Sequence, residues 1–292
     1  MVEFLNFTFE GLSAGMIYAA IGLSLVLIWR GTRVLNYAQG AMAMFTSYMA
    51  LLVINATGNY WLGFAVALAS GLVIGAVVER VVIRQVTGKP PLNAVIVSIG
   101  LLIGLEGLAG LLFSSNNRSF PPAYSINGLS IGSVALGITW NDVFTAVAVL
   151  AAAGVFAAVF RYTSVGLRLR ATAFSPAVAR LLGVRVGRML TLGWALAGLL
   201  GALAGMLVTP STFLSPNSMD VIFVLGFTAA VIGGLESPAG AVAGGLILGV
   251  VLSYAGGYLN SQVVNLFGLA ALLLVLMLRP NGLFSSAPAR RV

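Results

Sequence analysis

Apolar residues in this chain come in long unbroken runs, each close to the length of a membrane crossing. The runs cover about 11–29, 34–54, 61–83, 92–113, 141–160, 189–209, 219–235, 238–257 and 262–278, with short polar or basic segments between them. A helix needs roughly 20 apolar residues to cross about 30 Å of hydrocarbon. The pattern therefore predicts an all-α, polytopic membrane protein with nine spans. The seventh run is short and ends in Gly233-Gly234, so eight full crossings plus a broken or re-entrant helix is the variant, giving about 8–9 transmembrane helices. Membrane-spanning strands would alternate in polarity over about ten residues, and these runs do not. No internal repeat interrupts the pattern, and a single transmembrane domain is expected to fill residues 1–292.

The basic residues between the runs give an orientation. With the N-terminus outside and nine alternating spans, Arg30, Arg33, Arg80, Arg84, Lys89, Arg161, Arg168, Arg170, Arg180, Arg185, Arg188, Arg279, Arg290 and Arg291 all fall in the cytosol. Only Arg118 falls outside. This is the bias expected of short cytoplasmic loops, and the opposite orientation inverts it. Residues 114–140 become the longest outside loop, with turn signals at Pro121-Pro122 and Asn127-Gly128. Glu3 and Glu10 stand where a signal peptide would carry Lys or Arg, so the first run is expected to be a permanent span.

Composition narrows the chemistry. The chain is 60% hydrophobic and 8% charged, with a mean hydropathy of +1.05, outside the range of soluble domains. Its net charge of +8 is accounted for by orientation and does not call for nucleic acid. Cysteine and histidine are both absent, which removes thiolate chemistry, imidazole metal ligands and the usual general base, so no catalytic residue and no metal site are expected. A phosphate-binding P-loop needs G-x-x-x-x-G-K-[ST]. The only lysine, Lys89, follows Gly88, but position 83 is Ile and position 90 is Pro. Any ATP-driven work must come from another polypeptide.

One segment breaks the apolar pattern most strongly: GLRLRATAFSPAVARLLGVRVGR, residues 166–188. It holds five arginines and no acid. Leu167, Ala171, Phe174, Val178 and Leu181/Leu182 recur near a helical period, predicting one greasy face and one basic face. Ser175-Pro176 reads as the cap and first residue of a second short helix, and Gly183 as the residue that closes it. Two cytosolic helices meeting at a corner could lie on anionic lipid or dock a protein partner, and the residues alone leave both open. Nucleic acid lacks the aromatic stacking platform it would need.

Here a resemblance enters. The order Gly166 to Val184 (G-L-R-L-R-A, then A-x-x-L-G-V) resembles the cytosolic loop of ABC-importer permeases of the branched-chain amino acid type (LivH-like). VIGGLESPAGAVAGGLILGVV (231–251) is similar to that family's glycine-rich helix pair. RPNGLF (279–284) and LNYAQGAMAMFTSYMA (35–50) resemble two further segments, in the same order. The resemblance implies a bacterial inner-membrane importer of branched-chain or other hydrophobic amino acids. Its partners would be a second related permease, two cytosolic ABC ATPases that bind ATP and Mg, and a periplasmic substrate-binding protein. Residues about 161–188 would be the ATPase-coupling loop, carried by Gly166, Arg168, Arg170, Ala171, Phe174, Ser175, Ala179, Leu181, Leu182 and Gly183. The chain departs from the family pattern in three places. Ala173, Phe174 and Ser175 stand where the loop usually carries an acid, Gln39 replaces a histidine, and Glu236 replaces a glycine.

Polar groups inside the runs are candidates for the translocation path. Glu106, in IGLLIGLEGLAG, costs roughly 2.5–3.5 kcal/mol at a helix centre and should face a cavity, another helix or a neighbouring subunit. Asn36 and Gln39 open the second run, where capping and interfacial hydration compete with an inner-gate role. Ser47, Asn93 and Ser98 could hydrogen-bond a zwitterion or a helix. Gly233, Gly234 and Glu236 mark a helix break of the kind that lines transporter paths. A free-standing secondary carrier or channel with Glu106 in its path is the rival to the importer.

Overall fold

The computed structural model describes residues 2–131, 134–260, 263–279 and 282–284. Arg290, Arg291 and the Pro280-Asn281 pair lie outside these residues. All nine apolar runs are helical: α1 (Val2–Thr32), α2 (Gln39–Thr57), α3 (Tyr60–Val77), α4 (Pro91–Phe113), α5 (Trp140–Tyr162), α8 (Val186–Val208), α9 (Asp220–Gly233), α10 (Pro238–Tyr258) and α11 (Val264–Leu278). Two short helices, α6 (Ser164–Phe174) and α7 (Pro176–Leu181), fall in the arginine-rich segment. Seven of the helices are long and apolar enough to cross a membrane. The 14 residues of α9 and the 15 of α11 rise only about 21–22 Å at ~1.5 Å per residue, short of a full crossing. In α9 the stop is local: Gly234 takes φ +94°, a left-handed conformation that a side chain would resist.

Helix ends follow from the residues that bound them. Gly58, at φ +68°, turns its N–H back to the Ile54 carbonyl and ends α2, and the Asn59 side chain then accepts from the Trp61 and Leu62 N–H groups to start α3. The outside loop expected over 114–140 contains an antiparallel pair of strands, β1 (Gly128–Ile131) and β2 (Val134–Thr139). Its small and apolar residues alternate too briefly to read as a membrane element. Thr139 caps α5 reciprocally: Asp142 accepts from the Thr139 N–H at 2.8 Å and hydroxyl at 2.7 Å, while the Asp142 N–H bonds back at 3.1 Å.

The helices divide into two compact units. One holds residues 1–26, 124–153 and 224–292. In it, Gly11 and Gly15 of α1 meet Gly245 and Gly249 of α10 backbone to backbone, and Gly240 and Gly244 of α10 meet Gly233 of α9 in the same way. The other unit holds residues 27–123 and 154–223, built around α8. Of α8's apolar window 78% is buried, against 11% for α4, so α8 is the centre and α4 the rim. Gly71 and Gly75 of α3 press on the carbonyls of Gly198 and Trp194 of α8, and Gly201 and Gly205 of α8 press on α2. Small residues let helix backbones approach in lipid, where apolar side chains gain little by leaving hydrocarbon. The Gly100/Gly104 pair behaves otherwise: nothing lies within 4 Å of a Cβ built at either. That pair presents an open face.

This contrast is testable by substitution. Gly75→Ala drives a methyl into the Trp194 carbonyl and is expected to cost about 1–3 kcal/mol. Gly104→Ala meets no atom and is expected to be neutral or stabilising by up to about 1 kcal/mol through helix propensity. Thermal unfolding of the detergent-solubilised chain, read by size-exclusion recovery, separates the two.

Candidate functional site

The arginine-rich segment folds as two capped helices set on the end of α8. Thr163 accepts the Gly166 N–H at 3.1 Å and starts α6. Gly166 itself lies against the backbone of Val159 and Phe160, where no Cβ fits. Leu169 is fully buried, over Gly193 of α8, and Thr172 is buried beside it in sequence register. Ser175 caps α7 by accepting from the Val178 N–H at 3.4 Å, with Pro176 in the first helical position. Gly183, at φ +79°, closes α7. Its N–H reaches the Arg180 carbonyl at 3.0 Å and the Val184 N–H reaches the Ala179 carbonyl at 2.9 Å, the paired bonds of a Schellman ending.

The helix pair turns its larger apolar residues outward. Leu167, Phe174, Val178, Leu181 and Leu182 do not form the buried face; Leu169, Thr172 and Ala179 do. Phe174 is 82% exposed, Leu181 86% and Leu182 75%, with exposed Arg168, Arg170 and Arg180 between them. Ala171 and Ser175 are half-buried. The residues that repeat helically are thus presented outward, and the anchors are fewer and smaller. Large apolar side chains held out on a rigid, capped corner are placed to be covered by something else.

The first turns of α8 are tied to α3 by a charged network. Past Val77 the α3 helix continues as a π-turn over Val78–Val82 and a 3₁₀ turn over Ile83–Gln85. This five-residue spacing lets Arg84 reach Glu79 with two bonds, at 3.1 and 2.8 Å. Glu79 is 1% exposed. The Thr191 hydroxyl of α8 donates to Glu79 at 2.7 Å, and Arg84 also donates to Thr191 at 2.8 Å and to the Gly187 carbonyl at 2.9 Å. Sequence reading counted Arg84 only as an orientation mark and passed over Glu79. The available signal was an acid and a base five apart inside an apolar run.

The other candidates separate into groups. Asn36 and Gln39 are fully buried, so the hydrated Gln39 expected at the interface is not found. Asn36 accepts from the Ala38 N–H at 3.1 Å and donates to Gln39 at 2.9 Å, and Gln39 donates to the Ala197 carbonyl of α8 at 2.9 Å. Helix α2 is preceded by Ala38, without a side-chain cap. Ser47 is buried, bonded to the Ala43 carbonyl at 3.1 Å and approached by the Thr209 hydroxyl at 3.4 Å. Ser98 is buried and bonds within α4, and Asn93 is half-exposed. Glu106 is half-exposed; one carboxylate oxygen accepts from Asn217 at 3.3 Å, and the other is buried without a partner among the described residues. In the other unit, Gly233, Gly234 and exposed Glu236 form one tight turn. Gly282 lies directly on Gly234, and the Leu283 N–H bonds the Ile232 carbonyl at 2.8 Å. Among the described residues, no group of three or more acids could hold a metal ion.

Seven helices long and apolar enough to cross a membrane, packed within each unit through glycine backbone, define a multi-pass membrane protein. The family model "Branched-chain amino acid transport system / permease component" matches residues 7–278, and the chain belongs to that family. It is similar to the high-affinity branched-chain amino acid transport system permease protein LivH of Salmonella typhimurium, at 31% identity over 99% of this chain and 98% of that one. The permease BraD of Pseudomonas aeruginosa is 26% identical over 97% and 96%. The solved structure of PsaBC from Streptococcus pneumoniae in complex with Fab shares the fold, with a TM-score of 0.51, 16% identity and coverage of 94% and 91%. The chain is therefore a transport subunit of an ABC importer and not an enzyme, and the reading as a free-standing carrier is set aside.

The charged network gives a double-mutant test. Arg84→Leu leaves the buried Glu79 carboxylate with only Thr191 and is expected to cost about 3 kcal/mol, the low end for a broken pair because Arg84 is partly exposed. Glu79→Leu/Arg84→Leu is expected to recover much of that loss, since no unpaired charge remains. Unfolding midpoints of the two variants, measured in the same micelles, check the order.

Proposed function

We propose that this chain is the membrane-spanning subunit of an inner-membrane importer for branched-chain or other hydrophobic amino acids, working by alternating access. Its N-terminus faces outward, and α6 and α7 seat in a cytosolic ABC ATPase. A second, related permease completes the pore, two ATPases bind ATP and Mg, and a periplasmic protein delivers substrate. The substrate class follows the printed function of the LivH and BraD relatives. The observation that carries the coupling role is the outward display of Phe174, Leu181 and Leu182 on capped helices. A membrane-surface element would show its apolar face too. A lipid anchor, however, has no need of the double cap and the Leu169–α8 seating that hold this corner rigid.

Glu106 and Asn93 on α4 are the path-lining polar groups in this reading. Asn36, Gln39, Ser47 and Ser98 hold helices together, and the Gly233-Gly234-Glu236 turn lets α9 stop short within the membrane. In this reading affinity resides in the delivery protein and the permease provides passage.

The test is capture from native membranes in mild detergent, comparing wild type with Leu181→Asp/Leu182→Asp. Wild type is expected to bring down P-loop ATPases and a second permease. The variant is expected to keep the permease and lose the ATPases. If wild type recovers no ATPase, or the variant retains it fully, α6 and α7 are not the coupling element.

A further inference from the structure

A cavity of about 410 Å³ lies between the first half of α1 and the last turns of α10, closed on one side by Val264 of α11. Its origin is in the glycines. Gly11 and Gly15 bring α1 onto α10 at Gly249, and beyond that contact α10 carries Gly256 and Gly257, so its wall recedes. Helix α1 supplies Phe7, Glu10, Ala14 and Tyr18, spaced along one face. The Phe7 ring is fixed: it lies on Gly257 and stands edge-on to Tyr258, with centroids 5.3 Å apart.

Three polar groups line this space: the Glu10 carboxylate and the Tyr18 and Ser253 hydroxyls. Among the described residues none of the three has a hydrogen-bond or ion-pair partner. Among the described residues no lysine or arginine lines the cavity. Glu10 is exposed at the edge of the long apolar run of α1, where a cation from solvent or from a lipid headgroup can reach it.

We propose that this cavity binds a primary ammonium group carried on a short organic chain. An ammonium has three N–H donors and no acceptor. Near Glu10 the cavity offers that acceptor-only carboxylate, the Ser253 hydroxyl beside Gly11 and the Phe7 ring one turn away, while Tyr18 stands about 12 Å further along α1. Leu252, Ala14 and Val264 supply an apolar wall for the carbon chain. Selectivity follows from what is missing. An amino-acid zwitterion would bring its own carboxylate beside Glu10 with no cation to neutralise it, so the site discriminates against the transported class and is separate from the path. The same chemistry is offered by a soluble alkylamine and by the ethanolamine headgroup of a lipid.

The experiment uses the full chain in nanodiscs of phosphatidylglycerol alone. Ethanolamine is titrated by calorimetry, with ethylene glycol as the uncharged control. In parallel, native mass spectrometry compares retention of phosphatidylethanolamine with phosphatidylglycerol. Glu10→Gln is expected to weaken binding by about tenfold or more, the size of a charge-assisted hydrogen bond. Ala14→Leu, which fills the cavity and leaves the acid, is expected to abolish binding while the chain elutes as folded. Saturable ethanolamine binding lost in both variants supports a soluble amine. Selective phosphatidylethanolamine retention lost in both supports the lipid headgroup. Absence of both signals in wild type, or binding unchanged by Glu10→Gln, overturns the proposal.

Discussion

Backbone-to-backbone contact through glycine is the constraint on which this structure rests. In hydrocarbon, apolar side chains gain little by leaving lipid for protein, so helices associate through dispersion and close approach instead of water exclusion. The α3–α8 crossing shows what this demands. Gly71, Gly75 and Gly198 interleave so tightly that a methyl on any of them meets a carbonyl or another backbone atom. The same device joins α10 to α1 and to α9. Large side chains such as Trp194, Met206 and Leu207 still fill the core around α8, and others are left on the rims. Ile96, Ile103, Leu111 and Leu112 cover the outside of α4, as a surface facing lipid or another membrane protein requires.

The chain's apolar runs made nine helices legible, because a span must be apolar along its whole length and the period of the pattern hardly matters. The punctuation of α6 and α7 was equally legible. Ser175-Pro176 and Gly183 act through local backbone geometry, which needs no knowledge of the rest of the fold. Amphipathicity said less about burial. Apolar recurrence says that one face differs from the other and not which face the protein keeps, and here Leu169 and Ala179 are buried while Leu181 is displayed. Glu79 was only faintly legible, for a different reason. Its partner Thr191, and the Gly187 carbonyl that Arg84 also bonds, come from more than a hundred residues away, and the π-turn that aims Arg84 at Glu79 has no sequence signature of its own. Gln39 looked like an interfacial residue because its place at a run's start said nothing of Ala197, the carbonyl that draws it inside.

A buried carboxylate held by an arginine and a threonine is a poor source of stability, since desolvation offsets most of the attraction. Its value here is geometric. The π-turn sacrifices regular helix geometry in α3, a feature that recurs at functional positions in helices, and turns the Arg84 fork toward the start of α8. A hydrophobic contact at that point would tolerate sliding. A bidentate pair with a third hydrogen bond does not, because a shift of an ångström leaves a buried charge unpaired.

That rigidity bears on how a push at α6 and α7 would be felt. The Leu169–Gly193 seating and the Arg84 network both engage the first turns of α8. Further along, Gln39 of α2 bonds the Ala197 carbonyl, and Ser47 meets Thr209 just past the end of α8. From Gly187 to Thr209 the helix rises about 33 Å at ~1.5 Å per residue, roughly the thickness of the hydrocarbon. Between those points the contacts of α8 with α2 and α3 run through glycine backbone, with few side-chain rotamers to absorb a displacement. Close-packed interiors deform little and switch between discrete arrangements. A rotation imposed at one end of α8 would carry α2 and α3 with it toward the other end. A subunit that receives its energy from another polypeptide needs that mechanical property.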